Sequence, residues 1–270
     1  MAGILPVSSS TSRPRVLVVW DFDWSLVNEN SDTWVVRQLG EELMSEFRRL
    51  QNEESLGWTQ LMNQQMRSLW KNGVGESEVR WSMARLPVFS ETLEAAALAA
   101  RAGAEQTVVS DANTVFIEGF LAHHGIRRFF GKGVHTNGGV FLDDGRLDVQ
   151  PYHTDQDSPH GCSLCPANMC KGIILDGLVG GKDGEDRTVD KVVYIGDGRG
   201  DYCPALRLRP GDLLLARDGG EGGRRYGLLQ RIEAEEGGSL ACRLAKWGNG
   251  QQIYSALEDE LHELGPLEST

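Results

Sequence analysis

Three segments of the chain share one pattern, a short run rich in valine and isoleucine that ends abruptly in polar residues. They are Arg15–Trp20 before Asp21-Phe22-Asp23, Gln106–Val109 before Ser110-Asp111-Ala112-Asn113, and Lys191–Ile195 before the turn Gly196–Asp201. Near-continuous apolar runs of this length are typical of strands buried on both faces of a parallel sheet. Ligands bind beyond the carboxyl ends of such strands, so we expect the polar residues to share one site.

Helical patterns separate these strands. Residues 90–103 carry strong helix formers between a potential N-cap at Ser90 and a terminal glycine, and residues 114–124 and 169–179 also have helical patterns. Strands that alternate with helices predict an α/β fold, here a three-layer Rossmann-like parallel sheet core.

The stretch 29–88 differs, because it has helical periodicity and no convincing strand. It also lies in the region that holds five of the seven tryptophans, which suit the core of a small helical unit. We therefore predict a helical cap at 29–88, inserted into an α/β core formed by 14–28 and 89–270. Residues 1–13 are predicted to be a disordered tail, although their serine, threonine and arginine content weakly resembles a transit peptide.

Two further stretches are predicted to be loops. The charged residues 182–187 are typical of a surface loop. The glycine-rich residues 219–225 follow no clear strand, so we predict a flexible turn there rather than a phosphate-binding loop.

The composition is that of an ordinary globular protein, with 40% hydrophobic and 24% charged residues in a chain of 270. A net charge of −12 argues against a nucleic-acid partner, since phosphate backbones select a basic face. No apolar run approaches the ~20 residues that span a bilayer, so no membrane association is expected. Five cysteines, an odd number, fit a reducing compartment and predict a cytoplasmic protein.

The polar residues after the strands suit phosphoryl transfer. Asp21 and Asp23 are two positions apart, so both carboxylates point to one side if the backbone stays extended. One carboxylate can attack phosphorus while the other exchanges protons with the leaving oxygen. Ser110 can donate to a phosphate oxygen, and Lys171, at the start of a predicted helix, can neutralise charge on the transferring group.

The third strand is followed by two more acids, Asp197 and Asp201, in a glycine-rich turn. Four carboxylates at one sheet edge would repel one another strongly without a cation. Mg²⁺ prefers oxygen ligands and is the natural cofactor for phosphoryl transfer. A calcium loop would need more consecutive oxygen ligands than this turn provides.

The order of these elements resembles the four motifs of the haloacid dehalogenase superfamily, namely Asp-x-Asp-x-Thr/Val, Ser/Thr, Lys and Gly-Asp-x-x-x-Asp. Ser25 replaces the usual Thr or Val and keeps a hydroxyl. A closer resemblance, to the phosphoethanolamine/phosphocholine phosphatase family, rests on Asn28–Asp32, Ser110–Thr114, Cys162–Lys171 and Gly196–Pro204.

This resemblance implies a magnesium-dependent phosphomonoester hydrolase that acts on a small phosphorylated metabolite through an aspartyl-phosphate. It implies that Asp21 is the nucleophile, and that Asp23 is first the general acid and then the base for water. Ser110 and Lys171 would hold the phosphoryl oxygens.

The same resemblance implies a set of metal ligands. Mg²⁺ would bind Asp21, the backbone carbonyl of Asp23 and Asp197. Asp201 would be either a further ligand or a support for the others.

The resemblance implies phosphoethanolamine or phosphocholine as the substrate, and Asp32 and Asp111 could face its cationic leaving group. Trp24 or Trp34 could add a cation–π contact. Alternatively, Asp32 caps a helix and Asp111 only shapes a turn. Relatives in the family also act on pyridoxal phosphate, pyrophosphate or thiamine phosphate. A non-catalytic protein that binds a phosphometabolite or a metal on the same fold is a further alternative.

A cysteine-rich stretch precedes Lys171. His160, Cys162, Cys165 and Cys170 offer four soft ligands within eleven positions. They could bind zinc, or they could belong to a packed loop without a metal.

Overall fold

The computed structural model describes residues 13–52, 56–154, 160–180, 187–219, 224–234 and 240–262. Within these residues one seven-stranded sheet has the order β4-β3-β2-β1-β5-β6-β7. Its neighbouring strands are parallel, except for β3 and β4, which pair antiparallel. The strands are β1 Val16–Trp20, β2 Glu105–Asn113, β3 Val134–Phe141, β4 Leu147–Gln150, β5 Lys191–Gly196, β6 Leu213–Arg217 and β7 Arg243–Trp247.

The helices of the described residues flank this sheet or lie between β1 and β2. They are α1 Ser31–Leu39, α2 Met44–Gln51, α3 Trp58–Lys71, α4 Glu76–Met83, α5 Ser90–Arg101, α6 Thr114–His123, α7 Lys171–Val179, α8 Tyr202–Ala205, α9 Gly227–Ala234 and α10 Gly250–Leu261. Alternate residues of β1 belong to two separate cores: Val18 and Trp20 pack with α5, α6 and α10, whereas Leu17 and Val19 pack with α7, α8 and α9. The predicted three-layer α/β fold is therefore confirmed.

The strand order reverses at the centre of the sheet. From β1 the chain builds outward through β2 and β3 on one side, and it returns to β5, β6 and β7 on the other. The carboxyl ends of β1 and β5 consequently open a crevice between them, where ligands bind in folds of this kind.

The structure corrects two details of the predicted elements. Helix α5 begins at Ser90 itself and its N-cap position is Phe89, so Ser90 is not the cap. Strand β6 ends at Arg217 and helix α9 begins at Gly227, so a strand and a helix do flank the glycine-rich stretch. Its residues 220–223 lie outside the described part of the chain.

Helices α1 to α4 occupy most of the segment predicted to be a cap, and its described residues contain no strand. The division into a cap at 29–88 and a core at 14–28 and 89–270 stays a prediction. The predicted tail, apart from Arg13, and the predicted charged loop 182–187, apart from Arg187, lie outside the described residues. In the described segments no helix has the length and apolar character needed to cross a membrane.

Candidate active site

Asp21 and Asp197 lie at the carboxyl ends of the two central strands. β1 and β5 pair with Trp20 opposite Ile195, and the Asp21 amide donates to the Ile195 carbonyl at 2.9 Å. This register places Asp21 beside the turn that begins at Gly196. Both carboxylates are buried, with exposed fractions of 3% for Asp21 and 8% for Asp197.

Lys171 brings together acids that are far apart in the sequence. It is the first residue of α7, and its Nζ donates to Asp21 Oδ1 at 2.7 Å and to Asp201 Oδ1 at 2.8 Å. All three side chains are buried. Burial alone would lower the pKa of Lys171, but the carboxylates of Asp201 and Asp21 raise it well above its usual value. The ammonium group therefore stays charged beside Asp21.

Asp201 uses both of its carboxylate oxygens in hydrogen bonds. Oδ1 accepts from Lys171 Nζ and from the Tyr194 hydroxyl, which is 2.8 Å away. Oδ2 accepts from two amides of the turn, the nearer at 2.9 Å and that of Asp197 at 3.1 Å. A Cβ atom at Gly196 would lie 2.7 Å from the Asp201 carboxyl carbon, so the close approach requires glycine. Asp201 thus holds both Lys171 and the turn that carries Asp197.

Asp23 lies in a sharp turn after β1. The backbone is extended at Asp21 and Asp23, and it reverses at Trp24, which has a positive φ of 57°. The uninterrupted extended backbone that the prediction assumed is not present, because Phe22 begins the helical turn Phe22–Leu26 between these two acids. Asp23 Oδ1 accepts from the Ser31 amide and Oδ2 from the Asn30 side chain, both at 2.9 Å. These bonds orient the carboxyl group and connect it to the start of α1.

Burial and mutual repulsion raise the pKa values of these acids. Burial and the Asp201 carboxylate raise the pKa of Asp21 to about 7. Burial and the nearby Asp32 raise the pKa of Asp23 well above its usual value. The pKa of Asp197 is raised well above its usual value by burial and by Asp21. A bound cation would favour the ionised forms of these groups.

One cluster of carboxylates could hold a metal ion. Single oxygens of Asp21, Asp197 and Asp201 all lie within 4.8 Å of one another, and all three residues are buried. Lys171 supplies one positive charge against these three carboxylates. A set of hard oxygen donors with excess negative charge fits Mg²⁺.

Ser110 is fully buried in β2, the strand beside β1. The two strands pair in parallel with Trp20 opposite Val108, so Ser110 lies near the level of Asp21. Its hydroxyl oxygen accepts a hydrogen bond from the Ala112 amide at 3.3 Å. The hydroxyl hydrogen is thereby left to donate to a ligand.

Asp32 and Asp111 lie close enough to repel each other, one on α1 and the other on β2. Asp32 is buried, and its Oδ2 accepts from Trp58 Nε1 at 2.8 Å, whereas its Oδ1 has no hydrogen-bond partner among the described residues. Burial and the Asp111 charge raise the pKa of Asp32 to about 7. Asn30 caps α1 by accepting from the Thr33 amide, so the alternative that Asp32 is the cap is wrong.

The protein without metal should lose stability as the pH rises. The pKa values of Asp21 and Asp32 rise from 3.8 to about 7 on folding. Between these values the folded protein binds protons that the unfolded chain releases, so the free energy of unfolding falls with increasing pH. Asp32→Asn removes one of these groups, so the free energy of unfolding should depend less on pH in the variant. Melting temperatures of chelated wild type and variant at about pH 5 and about pH 8 test this. An equal change in melting temperature between the two pH values in both proteins would contradict this prediction.

Arg217, the last residue of β6, was missed by sequence reasoning. It is buried, and its Nη1 donates to the Trp24 carbonyl at 2.6 Å. With Trp24, Arg224 and Tyr226 it lines a cavity of about 720 Å³ beside the site. The sequence feature that could have revealed Arg217 is the apolar run Leu213–Ala216, which resembles the other buried strands and ends in this charged residue.

The two tryptophans expected to bind a substrate cation already contact arginine side chains. The guanidinium carbon of Arg224 lies 3.7 Å from the Trp24 ring centroid, and that of Arg37 lies 5.4 Å from the Trp34 ring centroid. The Trp34 indole also donates to the Ser82 carbonyl at 3.0 Å. Neither ring therefore favours a cationic substrate group in this arrangement.

The cysteine cluster differs from the predicted one in its fourth member. Cys162, Cys165 and Cys170 gather with Cys203, whose sulfur takes the place expected for His160. His160 instead lies 2.9 Å from the Pro166 carbonyl through Nε2, and its Nδ1 accepts from the Cys162 amide.

Solved structures share the fold. A haloacid dehalogenase family hydrolase from Salmonella enterica superposes with a TM-score of 0.60 at 13% identity, over 92% of this chain and 72% of that one. A phospho-aspartyl intermediate analogue of phosphoserine phosphatase superposes with a TM-score of 0.56 at 18% identity, over 91% and 99%. The fold is that of the haloacid dehalogenase superfamily.

Sequence relatives narrow this class. The family model described as "Putative Phosphatase" matches residues 16–261. Inorganic pyrophosphatase 2 of Arabidopsis thaliana is 40% identical over 205 residues, which is 75% of this chain and 71% of the relative. Human pyridoxal phosphate phosphatase PHOSPHO2 is 32% identical over 255 residues, or 90% and 98%. The chain belongs to the PHOSPHO-type phosphatase family and is a phosphatase.

Proposed function

We propose that the protein hydrolyses small phosphomonoesters with Mg²⁺ as cofactor, through an aspartyl-phosphate formed on Asp21. The observation that carries this proposal is the position of Lys171 Nζ, 2.7 Å from Asp21 Oδ1 and in a buried site that also contains Asp197. A carboxylate held beside a fixed positive charge is suited to attack phosphorus, because that charge offsets the negative charge of the incoming phosphate.

Asp23 is proposed to protonate the leaving oxygen and then to take a proton from the attacking water. Its raised pKa favours the protonated form that a general acid needs. Its hydrogen bonds from Ser31 and Asn30 fix the carboxyl group beside Asp21. Ser110 is proposed to donate to a phosphoryl oxygen together with Lys171.

Asp21, Asp197 and the Asp23 backbone carbonyl are the proposed ligands of Mg²⁺, which would neutralise charge on the phosphoryl group when bound. The hydrogen bonds to both oxygens of Asp201 occupy the ~four lone-pair positions of a carboxylate. We therefore assign Asp201 the role of holding Lys171 and the Asp197 turn, rather than that of a direct ligand.

Removal of Mg²⁺ should abolish turnover. The clustered carboxylates repel one another without the ion, and Ca²⁺ should be a poor substitute because it does not impose tight octahedral geometry. Phosphate release is measured after exhaustive chelation and after addition of either ion. Full activity in the chelated enzyme would contradict the proposed cofactor.

Helices α1 to α4 are proposed to form a cap over this site. The support is that Asp32 of α1 and Trp58 of α3 are joined by a hydrogen bond next to the catalytic acids. The cap would then set the leaving group that the enzyme accepts.

Phosphoethanolamine or phosphocholine is the proposed substrate. Asp32 and Asp111 add negative charge beside the phosphate site, and Asp32 Oδ1 is buried without a partner in the described structure. An ammonium or choline group placed between them would offset this repulsion. Among the described side chains the two acids are the support for this substrate, because both tryptophans contact arginines.

The substrate proposal predicts a selective effect of Asp32→Asn and Asp111→Asn. With phosphoethanolamine or phosphocholine, kcat/KM should fall about ten-fold or more, on the order of 1.4 kcal/mol for each lost charge contact. Activity on p-nitrophenyl phosphate, which has no cation, is the control and should change much less. Equal losses on both substrates would mean that the acids support the site in general.

Pyrophosphate is the second candidate substrate, because the relative that is 40% identical carries the name inorganic pyrophosphatase. Other relatives are named for thiamine phosphate and pyridoxal phosphate. The cavity beside Arg217 and Arg224 would suit a second phosphate group better than an ammonium group. Comparison of kcat/KM across these compounds separates the candidates.

The membership in a phosphatase family removes the alternative of a non-catalytic binding protein.

A cytoplasmic location is proposed as well. All five cysteines are free, and four of them gather without a disulfide, which suits a reducing compartment. Fluorescence microscopy of a tagged chain tests this location.

A further inference from the structure

Four cysteine sulfurs converge beside the active site, at the junction of a loop and two helices. Cys162 and Cys165 lie in the loop before α7, Cys170 is the N-cap residue of α7, and Cys203 lies in α8. Their sulfur atoms all lie within 4.8 Å of one another. Cys203 is 41 residues from Cys162, so the cluster exists only in the folded chain.

The spacing of the sulfurs matches a tetrahedral metal site. Cys203 Sγ lies 3.7 Å from Cys162 Sγ and 3.8 Å from Cys170 Sγ. Four thiolates at a Zn–S distance of about 2.3 Å form a tetrahedron with edges of about 3.8 Å. A disulfide requires an S–S distance of about 2.05 Å, and both of these separations are far longer.

The surroundings also suit bound thiolates. Arg207 Nη2 lies 3.9 Å from Cys203 Sγ and can offset part of the negative charge of such a site. The Cys162 amide is tied to His160 Nδ1 at 3.1 Å, which fixes the loop without using the histidine as a ligand. Glycine at 172 allows α7 to approach Cys203, because a Cβ atom there would lie 2.6 Å from the Cys203 sulfur.

We propose that Cys162, Cys165, Cys170 and Cys203 bind one structural Zn²⁺ ion. Four protein ligands close the coordination sphere, so the ion would hold structure and would not take part in hydrolysis. Cys170 directly precedes Lys171, and Cys203 is two residues after Asp201. The ion therefore clamps the two chain segments that supply the buried Lys171–Asp201 pair.

Zinc content of the untagged protein is the first test. Wild type purified without chelator should contain about one zinc ion per chain, with a sulfur-only shell at about 2.3 Å by X-ray absorption. Cys165→Ser should lose most of the zinc. Cys242→Ser is the control, since Cys242 is also a free cysteine but lies outside the cluster, and it should keep the full content.

The clamping role is tested by the inhibition constant of inorganic phosphate, measured with saturating Mg²⁺. This constant does not depend on the fraction of folded enzyme, so a loss of folded protein alone leaves it unchanged. It should rise at least several-fold in Cys165→Ser and stay constant in Cys242→Ser. An unchanged constant in zinc-depleted Cys165→Ser would refute the clamping role.

If Cys165→Ser fails to fold, the zinc site can still be tested in the wild type. Titration of wild-type thiols with a mercurial should release zinc in step with modification of the cluster. Folded, active wild type with negligible zinc would overturn the proposal, as would mass spectrometric detection of a disulfide within the cluster. Zinc content, X-ray absorption, zinc release and disulfide detection do not depend on phosphatase activity, so the zinc site can fail while the proposed function stands, and the reverse.

Discussion

Asp21→Asn should reduce turnover by several orders of magnitude and leave the fold intact. The substitution keeps the size of the side chain but removes the anionic oxygen that is proposed to form the bond to phosphorus, and loss of a covalent nucleophile has effects of this size. It also removes a buried acid whose pKa is raised to about 7, so the variant should be at least as stable as wild type at neutral pH.

Two comparisons make this result specific to a nucleophile. Asp197→Asn should also lose activity, but part of it should return at high Mg²⁺ because only a proposed metal ligand is weakened. Asp143→Asn, on an exposed residue, should behave like wild type. Acid quench of a reaction with labelled substrate should trap a phosphoenzyme in wild type and none in Asp21→Asn. Substantial turnover in a clean Asp21→Asn preparation would remove Asp21 from this role.

Lys171→Met should impair both substrate binding and catalysis. Methionine has a similar length but cannot donate to Asp21 and Asp201, which now accept from Nζ at 2.7 and 2.8 Å. Loss of one preorganised donor at a developing charge lowers kcat by about 10²-fold to 10³-fold, and the lost ground-state attraction should raise KM as well.

The same substitution should also destabilise the protein. Removal of one partner from a buried ion pair typically costs about 3–5 kcal/mol, because the other charges are left uncompensated. Since the acids can then take up protons, the loss should be smaller at low pH than at neutral pH. Lys246→Met is a matched control, because Lys246 is exposed and pairs only at the surface with Asp218. An unchanged kcat/KM in Lys171→Met would contradict the proposed phosphate contact.

Much of the site could be predicted from the sequence because it follows buried strands of the central sheet. β1, β2 and β5 are largely buried on both faces, so their short runs of valine and isoleucine are visible without any tertiary information. The polar residues that follow these runs then lie at one edge of the sheet, because the three strands are parallel. Strands near the sheet edge are harder to detect: β3 contains two adjacent glycines, and β7 has mostly exposed or half-buried residues.

The sequence by itself determined the α/β class, the strands that carry Asp21, Ser110 and Asp197, and the start of a helix at Lys171. Only the tertiary structure decided which distant side chains meet them. Three contacts join segments that no sequence pattern links along the chain. Asp32 pairs with Trp58, Arg217 contacts Trp24, and Cys203 rather than His160 is the fourth member of the cysteine cluster. The physical reason is that periodicity reports which face of an element is buried, whereas partners across elements depend on packing and charge after the chain has folded.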